Sequence, residues 1–99
     1  MNNFKRISIN KANELLLEDL YIIDIRDQDS FNAGHIDNAI NLNNKNMEDF
    51  ITSADKKKIT VVYCYHGNSS QNAAHYLSSK GFETAYSVDG GFEEWKNDY

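Results

Sequence analysis

Apolar residues gather in short runs along the chain, and longer polar or mixed segments separate one run from the next. The run at residues 59–63, Ile-Thr-Val-Val-Tyr, predicts the clearest β-strand because β-branched and aromatic residues fill it. A second run, at 21–25, is typical of a parallel strand that is buried on both faces. The full set of predicted strands is 6–9, 21–25, 39–42, 59–63 and 83–88.

Helical spacing of apolar positions lies between these runs. The longest predicted helix has a serine cap, Ser69 or Ser70, at its start and Gly81 at its end. Near the amino terminus, Asn10 is the predicted cap of the first helix. The predicted helices cover 10–19, 30–33, 45–52 and the stretch from the serine cap to 80, and a short last helix contains Phe92 and Trp95.

Strands that alternate with helices predict an α/β fold with a largely parallel sheet. In such a sheet the ligand site lies beyond the carboxyl ends of the strands. Two polar segments follow predicted strands at such ends, one at 24–27 and one that begins with Cys64. We therefore expect the functional site where these segments meet.

Composition narrows the function classes. The 99 residues predict one domain, 1–99, and the formal net charge of −5 argues against nucleic acid as a partner. The single cysteine excludes an internal disulfide framework and favours a reducing compartment. Residues 1–6 resemble no signal peptide, and no apolar segment approaches membrane-spanning length. We expect a cytoplasmic protein that binds no membrane.

Cys64 is the strongest candidate for chemistry. It comes directly after the best-defined predicted strand, and beyond Tyr65 stands His-Gly-Asn-Ser-Ser, a polar stretch that is typical of a turn and of the start of a helix. Backbone N–H groups are unpaired at a helix amino terminus, and there they stabilise a thiolate, the nucleophilic form of cysteine. The alternative is a structural cysteine, since free cysteines are commonly buried as small apolar residues.

Two kinds of cysteine chemistry on anions suit this layout. A cysteine-dependent phosphatase needs an arginine six positions after its cysteine, where the guanidinium grips phosphate oxygens in a bidentate manner. Ser70 occupies that position, and no arginine follows Cys64 anywhere in the chain. A tighter loop without arginine suits a smaller group, such as one sulfur atom bonded to the cysteine.

Four motifs, taken together, resemble those of single-domain rhodaneses. The loop Cys-Tyr-His-Gly-Asn-Ser-Ser at 64–70 resembles the family's active-site loop. The other motifs are Asp-Ile-Arg-Asp at 24–27 with Ser30 and Phe31, Gly-His-Ile at 34–36 with Ala39 and Asn41, and Ser-Val-Asp-Gly-Gly-Phe-Glu-Glu-Trp at 87–95. The sequence departs from the family at Asp37-Asn38, where Pro-Gly is frequent, and at Tyr65 and His66, where two-domain rhodaneses carry basic residues.

The resemblance implies a rhodanese-like α/β fold: a central, mostly parallel five-stranded sheet with helices on both faces. It also implies a thiosulfate sulfurtransferase that moves the sulfane sulfur of thiosulfate, through a persulfide on the catalytic Cys64, to cyanide or to a cellular thiol such as that of thioredoxin. No cofactor and no metal are expected. The implied substrate-binding residues are those of the loop, Tyr65, His66, Gly67, Asn68, Ser69 and Ser70.

Other notable residues are expected to be structural. Asp24 and Arg26 are interpreted as a charge pair near the site, and His35 as a hydrogen-bonding residue rather than a general base. Phe92 and Trp95 are interpreted as core residues. Two other functions stay open: a rhodanese-like phosphatase or arsenate reductase, and a non-catalytic rhodanese module that binds a partner.

Overall fold

The computed structural model describes residues 3–98, in which five strands alternate with five helices. The strands form one sheet in the order β1-β5-β4-β2-β3, and every neighbouring pair in it is parallel. The predicted parallel α/β sheet is therefore confirmed. The strand bounds are β1 Lys5–Ile7, β2 Leu20–Asp24, β3 Ala39–Asn41, β4 Ile59–Tyr63 and β5 Ala85–Val88.

The helices follow the predicted order, but the caps of two helices differ from those predicted. The helix bounds are α1 Ile9–Leu15, α2 Gln28–Ala33, α3 Met47–Ser53, α4 Ser69–Ser79 and α5 Gly91–Asp98. Ser8, not Asn10, caps α1, and its Oγ accepts a hydrogen bond from the Lys11 N–H. Asn68, rather than a serine, occupies the cap position of α4 and makes no side-chain cap bond.

Adjacent residues of each central strand point to opposite faces of the sheet, so apolar side chains stand on both faces. Helices cover both of these faces. In β4, Val61 joins the core on the face that α1 and α5 cover, and Val62 joins the core beneath α3 and α4. Ile22 and Ile23 divide between the two cores in the same way in β2. These central strands are thus buried on both sides, which explains their nearly continuous apolar sequence.

The direction in which successive strands are added to the sheet reverses between β2 and β4. From β2 the chain moves outward to the edge strand β3, and it then crosses to the other side of β2 to form β4. The crevice that such a reversal leaves at the carboxyl ends of the strands is the usual ligand site of an open parallel sheet. Asp24, the last residue of β2, is in register with Tyr63, which immediately precedes Cys64. The topology therefore brings the two predicted polar segments together.

Candidate active site

The Cys64 loop, residues 64–70, leads from β4 into α4 and folds around the sulfur of its own first residue. The backbone N–H groups of Gly67 and Ser70 donate to Cys64 Sγ at 3.2 and 3.3 Å. The His66 N–H also helps to lower the pKa of this thiol. Cys64 is only 4% exposed. Several amides of one turn thus point at a single buried atom, an arrangement that suits a negative charge on sulfur.

Two serine hydroxyls extend this hydrogen bonding beneath the sulfur. Ser70 Oγ lies 3.3 Å from Cys64 Sγ and 2.8 Å from Ser87 Oγ. Ser70 and Ser87 are both fully buried. Both candidate serines lie inside α4, which begins at Ser69, and the Ser70 hydroxyl faces the sulfur, so the predicted serine cap is wrong. Ser87 was not among the predicted site residues, although a polar residue within a buried strand is the signal that could have indicated it.

The surroundings of Cys64 act on its pKa in opposite directions. Burial raises the pKa of the thiol, because a buried charge loses its hydration. Hydrogen bonds from the Ser70 hydroxyl and from the N–H groups of Ser70, Gly67 and His66 lower it. The hydrogen bonds outweigh burial, so the pKa of Cys64 lies below its ordinary value. The Ser70 hydroxyl is the largest of the lowering contributions, ahead of any single backbone amide.

The start of α5 holds the outer side of the loop. The Phe92 N–H donates to the Cys64 carbonyl at 2.8 Å, and the Glu93 N–H donates to the Tyr65 carbonyl at 3.1 Å. These N–H groups belong to the first turn of a helix, where no partner within the helix is available. With its first carbonyls turned toward α5, the loop presents its next amides to the sulfur.

Two glycines allow this close approach. Gly67 has a φ of 96°, and a Cβ on it would lie 2.9 Å from the backbone nitrogen of Gly90. Gly91 has a φ of 61°, and a Cβ on it would lie 2.5 Å from the carbonyl group of Tyr65. Both positions therefore require glycine for two reasons, the left-handed backbone and the lack of space. The Gly-Gly pair of the last motif is thus a packing surface for the Cys64 loop.

A small opening of about 120 Å³ lies above the sulfur, and its lining residues are Cys64, Tyr65, His66, Asn68 and Ser69. Of the predicted loop residues, these four non-cysteine residues border the opening. Gly67 and Ser70 lie beneath it, against the sulfur. The structure thus brings all of the predicted loop residues around Cys64, and the opening has room for a small anion.

A larger cleft of about 500 Å³ lies beside this opening, between the starts of α3 and α4. Met47, Ala73 and Tyr76 are among its lining residues, and Ser69 lines both spaces. Cys64 lines only the smaller one. Because the reactive sulfur lines only the small opening, we assign the chemistry to that opening, although the cleft has the greater volume.

The family model for the rhodanese-like domain matches residues 8–98 of the chain. The chain belongs to the rhodanese-like domain family. It is 52% identical over 96 residues to the thiosulfate sulfurtransferase GlpE of Shewanella oneidensis, an alignment that covers 96% of this chain and 95% of that protein. It is 50% identical over 99 residues to the thiosulfate sulfurtransferase GlpE of Pseudomonas entomophila, covering 100% of this chain and 91% of that protein.

The fold also resembles that of solved rhodaneses. The crystal structure of a rhodanese-related protein from Thermoplasma volcanium matches with a TM-score of 0.81 at 25% sequence identity. The match covers 96% of this chain and 93% of the other. The rhodanese-like fold expected from the four motifs is therefore confirmed.

In this rhodanese, Asp24 and Arg26 form a buried ion pair next to the Cys64 loop, as predicted. Arg26 Nη2 lies 2.7 Å from Asp24 Oδ2, and the two side chains are 3% and 0% exposed. The guanidinium also donates to the Gly34 carbonyl and lies 4.1 Å from the centre of the Phe92 ring. Its Nε and Nη2 groups and one face are thus occupied within the protein, and the pair connects β2, α2 and α5.

The Tyr65 side chain ties the loop of this rhodanese to α2. Its hydroxyl forms hydrogen bonds with Asp27 and with Ser30 Oγ, the latter at 2.9 Å. Asp27 is also the cap of α2 and accepts from the Ser30 N–H at 3.0 Å. Hydrogen bonds from the Ser30 hydroxyl and N–H lower the pKa of Asp27. The motif at 24–27 therefore both caps α2 and holds the loop, a connection that the sequence analysis missed.

Two of the histidines, His35 and His75, make ring contacts within the protein. His35 Nδ1 lies 2.8 Å from the Phe31 carbonyl, and its ring stacks on the Phe31 ring at 3.9 Å. These contacts agree with the structural role predicted for His35. His75 makes an edge contact with the Phe4 ring.

Within residues 3–98, no cluster of three or more histidine, cysteine or carboxylate side chains could hold a metal ion. Nor does this part of the chain contain a helix long and apolar enough to cross a bilayer.

Proposed function

We propose that this rhodanese is a thiosulfate sulfurtransferase whose nucleophile is the Cys64 thiolate. The observation that carries the proposal is the hydrogen bonding of Gly67 and Ser70 to the buried sulfur, which lowers its pKa. A thiolate is the nucleophilic form of cysteine. The identity of about half to proteins named thiosulfate sulfurtransferase supports the choice of substrate.

The reaction runs in two displacements, which divide one difficult transfer into two easier ones. In the first, the Cys64 thiolate attacks the outer sulfur of thiosulfate. A new S–S bond forms, the S–S bond of thiosulfate breaks, and sulfite leaves with the electron pair. In the second, an acceptor attacks the outer sulfur of the persulfide, and Cys64 departs as the thiolate. With cyanide as the acceptor, the product is thiocyanate.

The Cys64 loop would support both displacements electrostatically. The amides of Gly67 and Ser70 donate to the sulfur that carries the charge before attack and regains it after transfer. Asn68 and Ser69 line the opening above that sulfur. We assign these two residues, with Tyr65 and His66, to the binding of the sulfonate oxygens of thiosulfate and then of the outer persulfide sulfur.

The acceptor must come from outside the chain, because Cys64 is its only cysteine. A second thiol that could resolve the persulfide is therefore absent from the sequence. Cyanide serves in an assay, and we propose a cellular thiol such as that of thioredoxin as the physiological acceptor. A thiol acceptor requires a reducing compartment, so we propose a cytoplasmic location.

The loop geometry argues against the phosphatase alternative. The position that arginine would need in a phosphatase is Ser70, which is fully buried between Cys64 and Ser87. An arginine there would point into the core and not toward a bound phosphate. The opening of about 120 Å³ is also small for an aryl phosphate. A non-catalytic module, for its part, does not require the hydrogen bonds that activate Cys64.

The test is the intact mass of the protein after incubation with thiosulfate. We expect a gain of one sulfur atom, about 32 Da, that maps to Cys64 and is removed by cyanide or a dithiol. Cys64→Ser should gain no mass and should retain the fold, because oxygen occupies the same place but forms no persulfide. An unchanged mass in millimolar thiosulfate would overturn the proposal, and hydrolysis of an aryl phosphate by the wild type would favour the phosphatase.

A further inference from the structure

We propose that Ser87 is a positioning residue that turns the Ser70 hydroxyl toward the Cys64 sulfur, a role that rests on the function proposed above. Ser87 lies in β5, outside the Cys64 loop. Its hydroxyl lies 2.8 Å from Ser70 Oγ, which in turn lies 3.3 Å from Cys64 Sγ. The three atoms form a chain that runs from the sulfur into the core.

The direction of this chain follows from counting protons. A serine hydroxyl has one proton to donate, and a thiolate can only accept. When Cys64 is a thiolate, the Ser70 proton must point at the sulfur. The contact of 2.8 Å between the two serines can then be a hydrogen bond only if Ser87 donates to Ser70. Ser87 thus holds Ser70 in the orientation that the anion needs.

In the thiol form of Cys64, the two hydrogen bonds among Cys64, Ser70 and Ser87 run in the opposite direction. The Cys64 S–H then donates to Ser70, and Ser70 donates to Ser87. Both forms contain two hydrogen bonds, but only the thiolate form ends on a charge. Donors arranged in series toward a charge polarise and strengthen one another in a buried site. Ser87 therefore favours the thiolate over the thiol, and its removal should disfavour the thiolate.

The burial of the pair makes Ser87 difficult to replace by solvent. Ser70 and Ser87 are both 0% exposed, so bulk water does not reach the contact. Ser87 is in register with Val62 of β4, a fully buried residue of the core beneath α4. A hydroxyl at such a position requires a partner inside the protein. Ser70 is that partner, and this explains a polar residue in the otherwise apolar β5.

The experiment is the rate of Cys64 alkylation by iodoacetamide as a function of pH, which needs no sulfur donor. In Ser87→Ala we expect the midpoint to rise, with alkylation about three- to tenfold slower at pH values below both midpoints. Ser87→Thr should remain close to wild type because it retains the hydroxyl. Ser78→Ala is the control, since it removes a buried hydroxyl elsewhere on α4.

A double-mutant cycle separates positioning from packing. In a Ser70→Ala background the chain is already broken, so Ser87→Ala should not raise the midpoint further. If Ser87 acted only through packing, the two changes would add. The proposal fails if Ser87→Ala leaves the midpoint unchanged, or if it raises the midpoint equally in both backgrounds.

A second pair of variants covers the case in which Ser87→Ala does not fold. Ser87→Thr and Ser87→Val have nearly the same shape, and both suit a strand, but only threonine carries a hydroxyl. Valine should react more slowly than threonine, and equal rates would overturn the proposal. The charged and titratable side chains near the loop are identical in all of these proteins: Asp24, Arg26, Asp27, His66 and Glu93.

The alkylation experiment tests the role of Ser87 separately from the sulfurtransferase proposal. Alkylation reports the thiolate whether or not thiosulfate is a substrate, so an altered midpoint without sulfur loading would refute only the function. Sulfur loading with an unaltered midpoint in Ser87→Ala would refute only the role of Ser87.

Discussion

At the scale of single residues, the reactivity of Cys64 is a balance between burial and hydrogen bonding. The thiol is only 4% exposed, and this burial alone would raise its pKa. The Ser70 hydroxyl and the surrounding amides reverse the sign. We expected backbone N–H groups to stabilise the thiolate, and those of Ser70, Gly67 and His66 do lower the pKa; the Ser70 hydroxyl is the largest single lowering contribution. A buried cysteine is thus made reactive by groups that lie within one turn of chain.

We expect the pKa of Cys64 to lie below its ordinary value of roughly 8.5, and to remain low in His66→Ala. Alanine retains the backbone N–H of residue 66, which is the group of His66 that lowers the pKa of Cys64. Since the thiolate is the reactive form, the alkylation rate rises with pH and levels off above the pKa, and a lower pKa moves the midpoint toward acid. A large rise of the midpoint in His66→Ala would assign activation to the imidazole instead.

At the scale of secondary-structure elements, the site is a contact between the turn after β4 and the start of α5. The Phe92 and Glu93 N–H groups hold the first carbonyls of the Cys64 loop. Gly91 permits the contact because a side chain would collide with the carbonyl of Tyr65. The Gly-Gly motif therefore determines the shape of a loop that lies more than twenty residues earlier in the chain.

Gly91→Ala should abolish most sulfur loading, because its Cβ would lie 2.5 Å from the Tyr65 carbonyl and push the loop away from the sulfur. The left-handed backbone at a φ of 61° adds about 1–3 kcal/mol of strain. Gly81→Ala is the matched control: its φ is 102°, but its nearest neighbour is the flexible Lys56 side chain at 3.4 Å. Thermal unfolding should show both variants destabilised, and the mass assay should show only Gly91→Ala inactive. Equal loading by the two would contradict this account.

At the scale of the whole molecule, two hydrophobic cores pack against opposite faces of the sheet. Trp95 of α5 is fully buried in one core, and its Nε1–H donates to Asn13 Oδ1 of α1 at 2.7 Å. It therefore links the last helix to the first. In this way the stability of the domain and the position of α5 against the loop depend on the same side chain.

Trp95→Ala should lower the free energy of unfolding by about 3–5 kcal/mol, because it leaves a large cavity. A domain of this size has a total of only about 5–15 kcal/mol, so the midpoint of thermal unfolding should fall by ten degrees or more, on the order of 4–8 °C per kcal/mol. Leu17→Ala, at a position that is 90% exposed, should change the stability by no more than about 0.5 kcal/mol. Similar melting curves for the two variants would show that the α1–α5 core contributes little.

The sequence by itself was sufficient for features that depend on neighbouring residues. The run at Ile59–Tyr63 predicted β4 with its observed bounds, because burial on both faces makes it almost entirely apolar, with Thr60 as its one small polar residue. The Cys64 loop was predicted from the polar, turn-forming segment after β4 and from its resemblance to the rhodanese loop, and the structure places the Gly67 and Ser70 amides of this short segment at the sulfur. The proximity of Asp24 to Arg26 was also local, and their ion pair was predicted and is confirmed.

Tertiary structure alone decided what distant segments bring together. Ser8 caps α1 because it directly follows Ile7, the last residue of β1 that pairs with β5. In α4 the Ser70 hydroxyl contacts the sulfur, and Asn68 occupies the cap position. Ser87 and Gly91 lie seventeen and twenty-six residues beyond Ser70 and Tyr65, and only the sheet order β5-β4-β2 places both beside Cys64. Apolar periodicity reports whether a residue is buried, but hydrogen bonds and close contacts between elements depend on packing that no local pattern contains.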